Sequence, residues 1–142
     1  APGSKKMALV AQRVGQRIFA ADVRQAWDNK CALTEISMKN ILNACHLIPW
    51  SHKECLPEYQ TDVNNGLLLC AHLHALLDSY LISFSDAGNL LVDRGLHPKL
   101  SALISSTGDL SLRKTPNREQ QFFLRWHRAQ AKILKRRLVV VA

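Results

Sequence analysis

The chain has 142 residues, and 47% of them are hydrophobic, which is enough for the core of one domain and excludes wholesale disorder. No apolar run approaches the ~20 residues that a membrane helix needs. The net charge of +8 comes from 19 Lys and Arg against 11 Asp and Glu, and it favours an acidic partner, most commonly a nucleic acid.

The charge is distributed unevenly along the chain. Residues 1–30 carry a net charge of +4, residues 31–112 carry −4, and residues 113–142 carry +8. This pattern predicts basic segments that flank a centre rich in carboxylates, and carboxylates bind phosphate poorly unless a cation intervenes. The alternative is an ordinary domain beside a solvated basic C-terminal helix.

The N-terminal region is predicted to form one amphipathic helix. Residues 1–6, which begin Ala-Pro-Gly-Ser, resemble the residues that remain after cleavage of an expression tag, and we expect them to be disordered. We expect residues 7–142 to form a single domain. Apolar side chains recur in steps of three and four over 7–29, which predicts a helix, with a break near Ala20 left open.

The four cysteines at positions 31, 45, 55 and 70 include no Cys-x-x-Cys pair, so a zinc ribbon or knuckle is not expected. The N-terminal residues do not have the pattern of a secretory signal. We therefore expect free thiols and a cytoplasmic protein.

The centre of the chain alternates apolar runs with turn residues, which predicts short strands and one helix. In chain order these are a strand over 41–48 ended by Pro49, a loop over 50–64, a turn at the Asn-Gly pair 65–66, a strand over 67–70 and a helix over 71–77.

The C-terminal half adds a hairpin and a long helix. Alternating residues over 81–85, a turn over 86–89 and an apolar run over 90–92 predict the hairpin. Residues 93–116 give no clear pattern, whereas 117–137 has strong helical periodicity. The apolar end 138–141 is a paired strand, a dimer contact or the start of a linker. The element order predicts an α+β fold.

Polar residues interrupt these apolar elements at four places. His46 ends the first strand, Asn65 precedes the second, and His74 and Asp78 lie four apart on the following helix. A spacing of four places an imidazole and a carboxylate on one helix face, where both can reach one divalent ion. Taken singly, each of these residues is as well explained by a structural role.

The order and spacing of the motifs are more specific than any one residue. Cys-x-x-Thr stands at 31–34, His-x-x-Pro-Trp at 46–50, Asn-Gly-Leu-x-Leu at 65–69 and His-x-x-x-Asp at 74–78, ahead of the hairpin. This pattern resembles the HNH endonucleases. The resemblance implies a ββα-metal core over about 31–92, to which this chain adds the β-hairpin and flanking N- and C-terminal helices.

The resemblance also implies roles for these residues. His46 corresponds to the general base that takes a proton from the attacking water, and Asn65 to the residue that holds the loop and orients that base. His74 and Asp78 correspond to ligands of one divalent ion, which is Mg, Mn, Ni or Zn. Cys45 stands where many members have a third ligand, so it is either a buried thiol or a ligand for zinc.

The function implied by the resemblance is metal-dependent hydrolysis of phosphodiester bonds in DNA, which is expected to be double-stranded, in restriction or defence against phage. The alternative is a nucleic-acid-binding module with the same fold and no activity. A homodimer, or fusion to a recognition or sensor domain, stays open. The basic residues expected to contact nucleic acid are Arg17, Lys53, Arg125, Arg128 and Lys132.

Overall fold

The computed structural model describes residues 2–141. Its helices are α1 (Pro2–Ala26), α2 (Pro57–Gln60), α3 (Ala71–Asp78), α4 (Pro98–Ser105) and α5 (Arg118–Ile133), and its strands are β1 (Leu42–His46), β2 (Gly66–Cys70), β3 (Ile82–Phe84), β4 (Leu90–Asp93) and β5 (Leu138–Val140). The predicted α+β class is confirmed. No helix within these residues is long and apolar enough to cross a bilayer.

The strands form two small antiparallel sheets. β1 pairs with β2 in a register that sets His46 opposite Gly66, and α3 follows β2 without a loop, which completes the predicted ββα unit. β3 and β4 form the predicted hairpin, and β5 adds to its β4 edge. The apolar C-terminal end is therefore a paired strand, one of the three alternatives.

Helix α1 is longer and more regular than the sequence predicts. It begins at Pro2, so residues 2–6 are helical and the expected disorder is wrong for them, while Ala1 lies outside the described residues. Proline is favoured in a first helical turn because its missing N–H has no helical partner there. The helix runs through Ala20 without a break and packs Phe19 and Val23 against the β1–β2 unit.

The Asn-Gly pair is not a hairpin turn. Gly66 has an extended backbone, with φ −137°, and is the first residue of β2. A Cβ on Gly66 would lie 2.7 Å from the ring of Phe19, so glycine allows α1 to pack closely on the strand. The smaller differences are a shorter β1 and helix α4 within the unassigned stretch.

The four cysteines are buried free thiols.

His127 is a buried polar residue, and it lies where α5 crosses the hairpin and the end of α3. Nε2 of His127 donates to the carbonyl of Leu77 at 2.9 Å, and Nδ1 accepts from the Ser83 hydroxyl at 2.7 Å. Burial lowers the pKa of His127 to about 4, against the smaller effect of the Leu77 carbonyl and of Asp78.

The low pKa of His127 leads us to predict that the protein loses stability in acid. In the unfolded chain His127 is protonated below pH ~6.5, whereas in the folded chain it is protonated only below about pH 4. Between these values the unfolded state binds one more proton than the folded state, so lowering the pH favours unfolding. Between pH 7 and pH 4.5 the wild type should lose about 2–3 kcal/mol more unfolding free energy than H127Q. Urea titrations at both pH values measure the difference, and H72Q, at an exposed histidine, should behave as wild type. Equal losses in H127Q and wild type would contradict the assignment.

Candidate active site

One cavity of about 430 Å³ opens beside the end of β1 and brings together three of the predicted site residues. Its walls are His46, His74 and Asp78, together with Ala44, Pro49 and Trp50. Strand β1 supplies the first histidine, and α3, which follows the paired strand directly, supplies the other two side chains. The ββα connection therefore places these three groups around one space.

His46 is held in one orientation by contacts on two sides. Its Nε2 lies 2.8 Å from the carbonyl oxygen of Gln60, at the end of α2. The ring stacks on Phe19 of α1, with centroids 3.6 Å apart, and meets the edge of Trp50 at 6.0 Å. A carbonyl only accepts hydrogen bonds, so Nε2 carries the proton and Nδ1 of the neutral ring keeps its lone pair.

The surroundings of His46 also favour the neutral ring. Burial lowers its pKa below the usual value, and the Gln60 carbonyl and the charge of Asp78 oppose that effect only in part. At pH 7 the imidazole is therefore unprotonated. A neutral imidazole with a free Nδ1 at the wall of a polar cavity can accept a proton from a water molecule.

His74 and Asp78 form a pair one helical turn apart on α3. Nε2 of His74 lies 2.9 Å from Oδ2 of Asp78, and the Asp78 side chain is 55% exposed. The hydrogen bond to Asp78 raises the pKa of His74, against the opposing effect of burial. Imidazole nitrogen and carboxylate oxygen are donors that suit a divalent transition metal or Mg²⁺, so the pair fits the predicted ion.

Asn43 is a site residue that the sequence analysis missed. Its side-chain nitrogen lies 3.1 Å from Nδ1 of His74, on the far side of that ring from Asp78. With the amide in the opposite orientation, Oδ1 would accept from Nδ1–H, which is the tautomer that a metal on Nε2 requires. A lone amide in an otherwise apolar strand, three residues before His46, was the only sign of it.

Cys45 does not line the cavity. Successive side chains of a strand point to opposite faces, so Cys45 shares the face of Asn43 rather than that of Ala44 and His46. It is fully buried, its thiol lies 3.4 Å from the Asn43 carbonyl, and burial raises its pKa well above the usual value. The burial of this thiol favours the first of the two alternatives for Cys45, a buried residue rather than a ligand for zinc. Within residues 2–141 no group of three or more His, Cys, Asp or Glu could hold a metal.

Asn65 is buried and acts on the backbone. Its Oδ1 accepts from the N–H of Ile48 at 2.8 Å, and its Nδ2 donates to the carbonyls of Ile48 and Tyr59 at 3.1 Å each. These bonds tie the chain after His46 to the start of β2 and to α2. Asn65 therefore holds the loop that carries the Gln60 carbonyl and makes no contact with the cavity itself.

The predicted basic contacts fall into two groups. Arg17, Lys53 and Lys132 are exposed. Arg125 and Arg128 instead form ion pairs with Asp86, and the guanidinium nitrogen lies 2.7 Å from a carboxylate oxygen in each. Arg128 also donates to the Phe84 carbonyl, so the two guanidiniums fasten α5 to the β3–β4 turn.

The comparisons with known proteins point to the same part of the chain. Residues 31–85 match the model of a family described as HNH endonuclease. The matched segment runs from the turn before β1 through β3 and contains His46, Asn65, His74 and Asp78, while α1 and α5 lie outside it. No curated protein matches the chain.

Proposed function

We propose that this chain, whose residues 31–85 match the model of the HNH endonuclease family, is a divalent-metal-dependent endonuclease that hydrolyses phosphodiester bonds in DNA. One observation carries the proposal. A neutral histidine with a free Nδ1, His46, lies on the wall of the same cavity as the His74–Asp78 donor pair. A base for water and a binding site for a cation are the two groups that such hydrolysis needs.

The chain's own groups account for the proton transfer. Nδ1 of His46 takes a proton from a water molecule, whose oxygen attacks phosphorus as the bond to the 3′ oxygen breaks, and the leaving 3′ oxygen takes up a proton from solvent. The Gln60 carbonyl accepts the Nε2 proton throughout, and it stabilises the imidazolium that forms. The stacked Phe19 ring prevents the imidazole from turning away. The proton on His46 returns to solvent after the product leaves.

His74 and Asp78 would hold the metal ion through Nε2 and an oxygen of the carboxylate, replacing the hydrogen bond between them. When bound, a divalent ion supplies positive charge that polarises the phosphoryl group and stabilises the leaving oxygen. Two side-chain ligands leave positions for water and substrate, which is the binding mode that Mg²⁺ favours. Mn, Ni and Zn also accept this donor pair.

The partner we propose is double-stranded DNA. The net charge of +8, concentrated at the two ends of the chain, supports a polyanion, and Arg17, Lys53 and Lys132 expose free cationic side chains. We place the activity in restriction or defence against phage in the cytoplasm, with recognition supplied by a second copy or a fused domain.

One observation favours a second function, a nucleic-acid-binding module without activity. Among the described residues a metal ion would have only two side-chain ligands, His74 and Asp78. If those two fail to retain an ion, the fold and its basic surface still bind DNA. The two functions differ in one observable, since only the nuclease changes the topology of plasmid DNA.

A panel of divalent ions tests the proposal. Supercoiled plasmid incubated with the protein should become nicked or linear with at least one of Mg, Mn, Ni or Zn, and EDTA should abolish the reaction. Matched plasmid without protein controls for cleavage by the ion. Binding of the plasmid with no cleavage under any ion would favour the inactive module.

A further inference from the structure

A second, smaller cavity lies at the other end of β1, against the C-terminal turn of α1. It measures about 120 Å³, and its walls are Arg24, Asn29, Ser37, Lys39, Leu42 and Leu68. We propose that this cavity is an oxyanion site that holds one backbone phosphate of the bound DNA, apart from the phosphate that is cleaved. The proposal rests on the proposed function, because it names the substrate as the source of the anion.

The polar groups of this cavity lack partners within the protein. Among residues 2–141 no ion pair or side-chain hydrogen bond engages the ends of Arg24, Lys39, Asn29 or Ser37, although all four line the cavity. The Nε–H of Arg24 is a buried donor without an acceptor, so no contact within the described part of the chain holds this guanidinium group. Its remaining N–H groups are therefore available to an incoming acceptor.

The chemistry of the walls selects an anion. Two cationic residues and two neutral hydrogen-bonding residues line the space, and no carboxylate does. The nearest carboxylate in sequence, Asp28, forms an ion pair of 3.1 Å with Lys114. An arginine offers several donors in a fixed plane, which matches the oxygens of a phosphate.

The size of the cavity limits what enters it. Pockets for drug-sized molecules measure roughly 300–1,000 Å³, so about 120 Å³ accepts a single tetrahedral oxyanion and excludes a nucleoside. The two apolar walls, Leu42 and Leu68, belong to the paired strands β1 and β2, so this side of the cavity is rigid.

The position of the cavity relates it to the active site. Strand β1 runs antiparallel to α1, so that Leu42 lies near Arg24 and His46 stacks on Phe19. Leu42 and His46 are four residue steps apart along the strand, which is roughly 13 Å at ~3.3 Å per step. That span joins phosphates a few nucleotides apart, so one duplex can place its backbone at both sites.

Helix α1 carries a stripe of arginine side chains that leads to this cavity. At ~100° per residue, residues 13, 17 and 24 lie within about 40° of one another around the helix, and all three are arginines. Arg13 and Arg17 are exposed, so the stripe is open to solvent up to the cavity. A duplex that follows this stripe would enter the cavity with one phosphate.

Salt-dependent DNA binding in EDTA tests the proposal without cleavage. Each phosphate contact adds about 0.9 to the slope of log Kd against log salt concentration, so R24Q should lower the slope by about one. K39Q should lower it in the same direction. The matched control K99Q removes one exposed charge from α4 and should leave the slope unchanged.

A second readout uses inorganic sulfate as the anion. Sodium sulfate should raise the unfolding temperature of the wild type and K99Q above that in sodium chloride of equal ionic strength, and it should raise R24Q less. If sulfate distinguishes R24Q but the DNA slope does not, the assignment to a DNA phosphate is overturned. If neither readout distinguishes R24Q from K99Q, the site itself is overturned. Failure of the proposed nuclease would appear separately, as wild-type protein that binds DNA and cleaves none.

Discussion

Replacement of His46 by alanine is expected to lower the rate of plasmid nicking by about 10²–10⁴-fold, the range typical for loss of a general base. The expectation rests on the arrangement of the ring. Gln60 occupies Nε2, burial keeps the ring neutral, and Nδ1 is left to accept a proton. Single-turnover cleavage with Mn or Mg measures the rate of the chemical step.

The matched control is H72A. His72 lies on α3 two residues from His74, but its side chain is exposed and does not line the cavity. Its loss should leave cleavage at the wild-type rate. Circular dichroism should show that H46A is folded, since the variant loses the stack on Phe19. A folded H46A that cleaves as fast as H72A would show that another group activates the water.

The candidate site could be predicted from sequence where its parts lie close together in the chain. His74 and Asp78 meet because one helical turn separates them, and this follows from spacing alone. The pairing of β1 with β2 could also be predicted, because an apolar run on each side of a loop indicates adjacent strands. These short-range features place the donor pair beside the end of β1.

The contacts that orient His46 could not be predicted from the sequence. The Gln60 hydrogen bond uses a backbone carbonyl 14 residues away, which any residue type would provide, so no side chain in the sequence indicates it. The Phe19 stack depends on how α1 crosses the sheet, which is permitted by Gly66. Such contacts exist only once the tertiary packing is known.

The ion pairs of the C-terminal helix could not be predicted from sequence either. Its basic residues raise the net charge of that segment, and the sequence does not indicate which of them are neutralised by a carboxylate elsewhere in the protein. Asp86, 39 and 42 residues away, binds Arg125 and Arg128, and their hydrogen bonds hold the pKa of Asp86 below its usual value. The charge available to DNA therefore shifts from these arginines to Lys132 and to helix α1.

The burial of Cys45 bears on the third metal ligand. The thiol is fully buried and does not line the cavity, so we expect a nuclease of this arrangement to rely on two side chains and on solvent or substrate oxygens. Metal affinity in the absence of DNA should accordingly depend on the α3 pair alone.

H74A and D78N are expected to weaken binding of Mn²⁺ or Ni²⁺ by more than about 100-fold, since loss of an outer-shell partner alone costs about 10–100-fold. Either change removes one of two side-chain donors, and no third His, Cys, Asp or Glu among residues 2–141 joins the pair to replace it. Calorimetric titration of the free protein measures the affinity, and plasmid cleavage should fall in the same variants.

The control for this experiment is C45A. Its thiol is buried, keeps its proton because burial raises its pKa, and does not line the cavity, so its loss should leave the metal affinity unchanged. N43A provides an intermediate case, because Asn43 contacts Nδ1 of His74 and orients the ligand without touching the ion, so its affinity should fall by about 10–100-fold. A C45A variant as weak as H74A would restore the thiol as a ligand and would require the end of β1 to rearrange when metal binds.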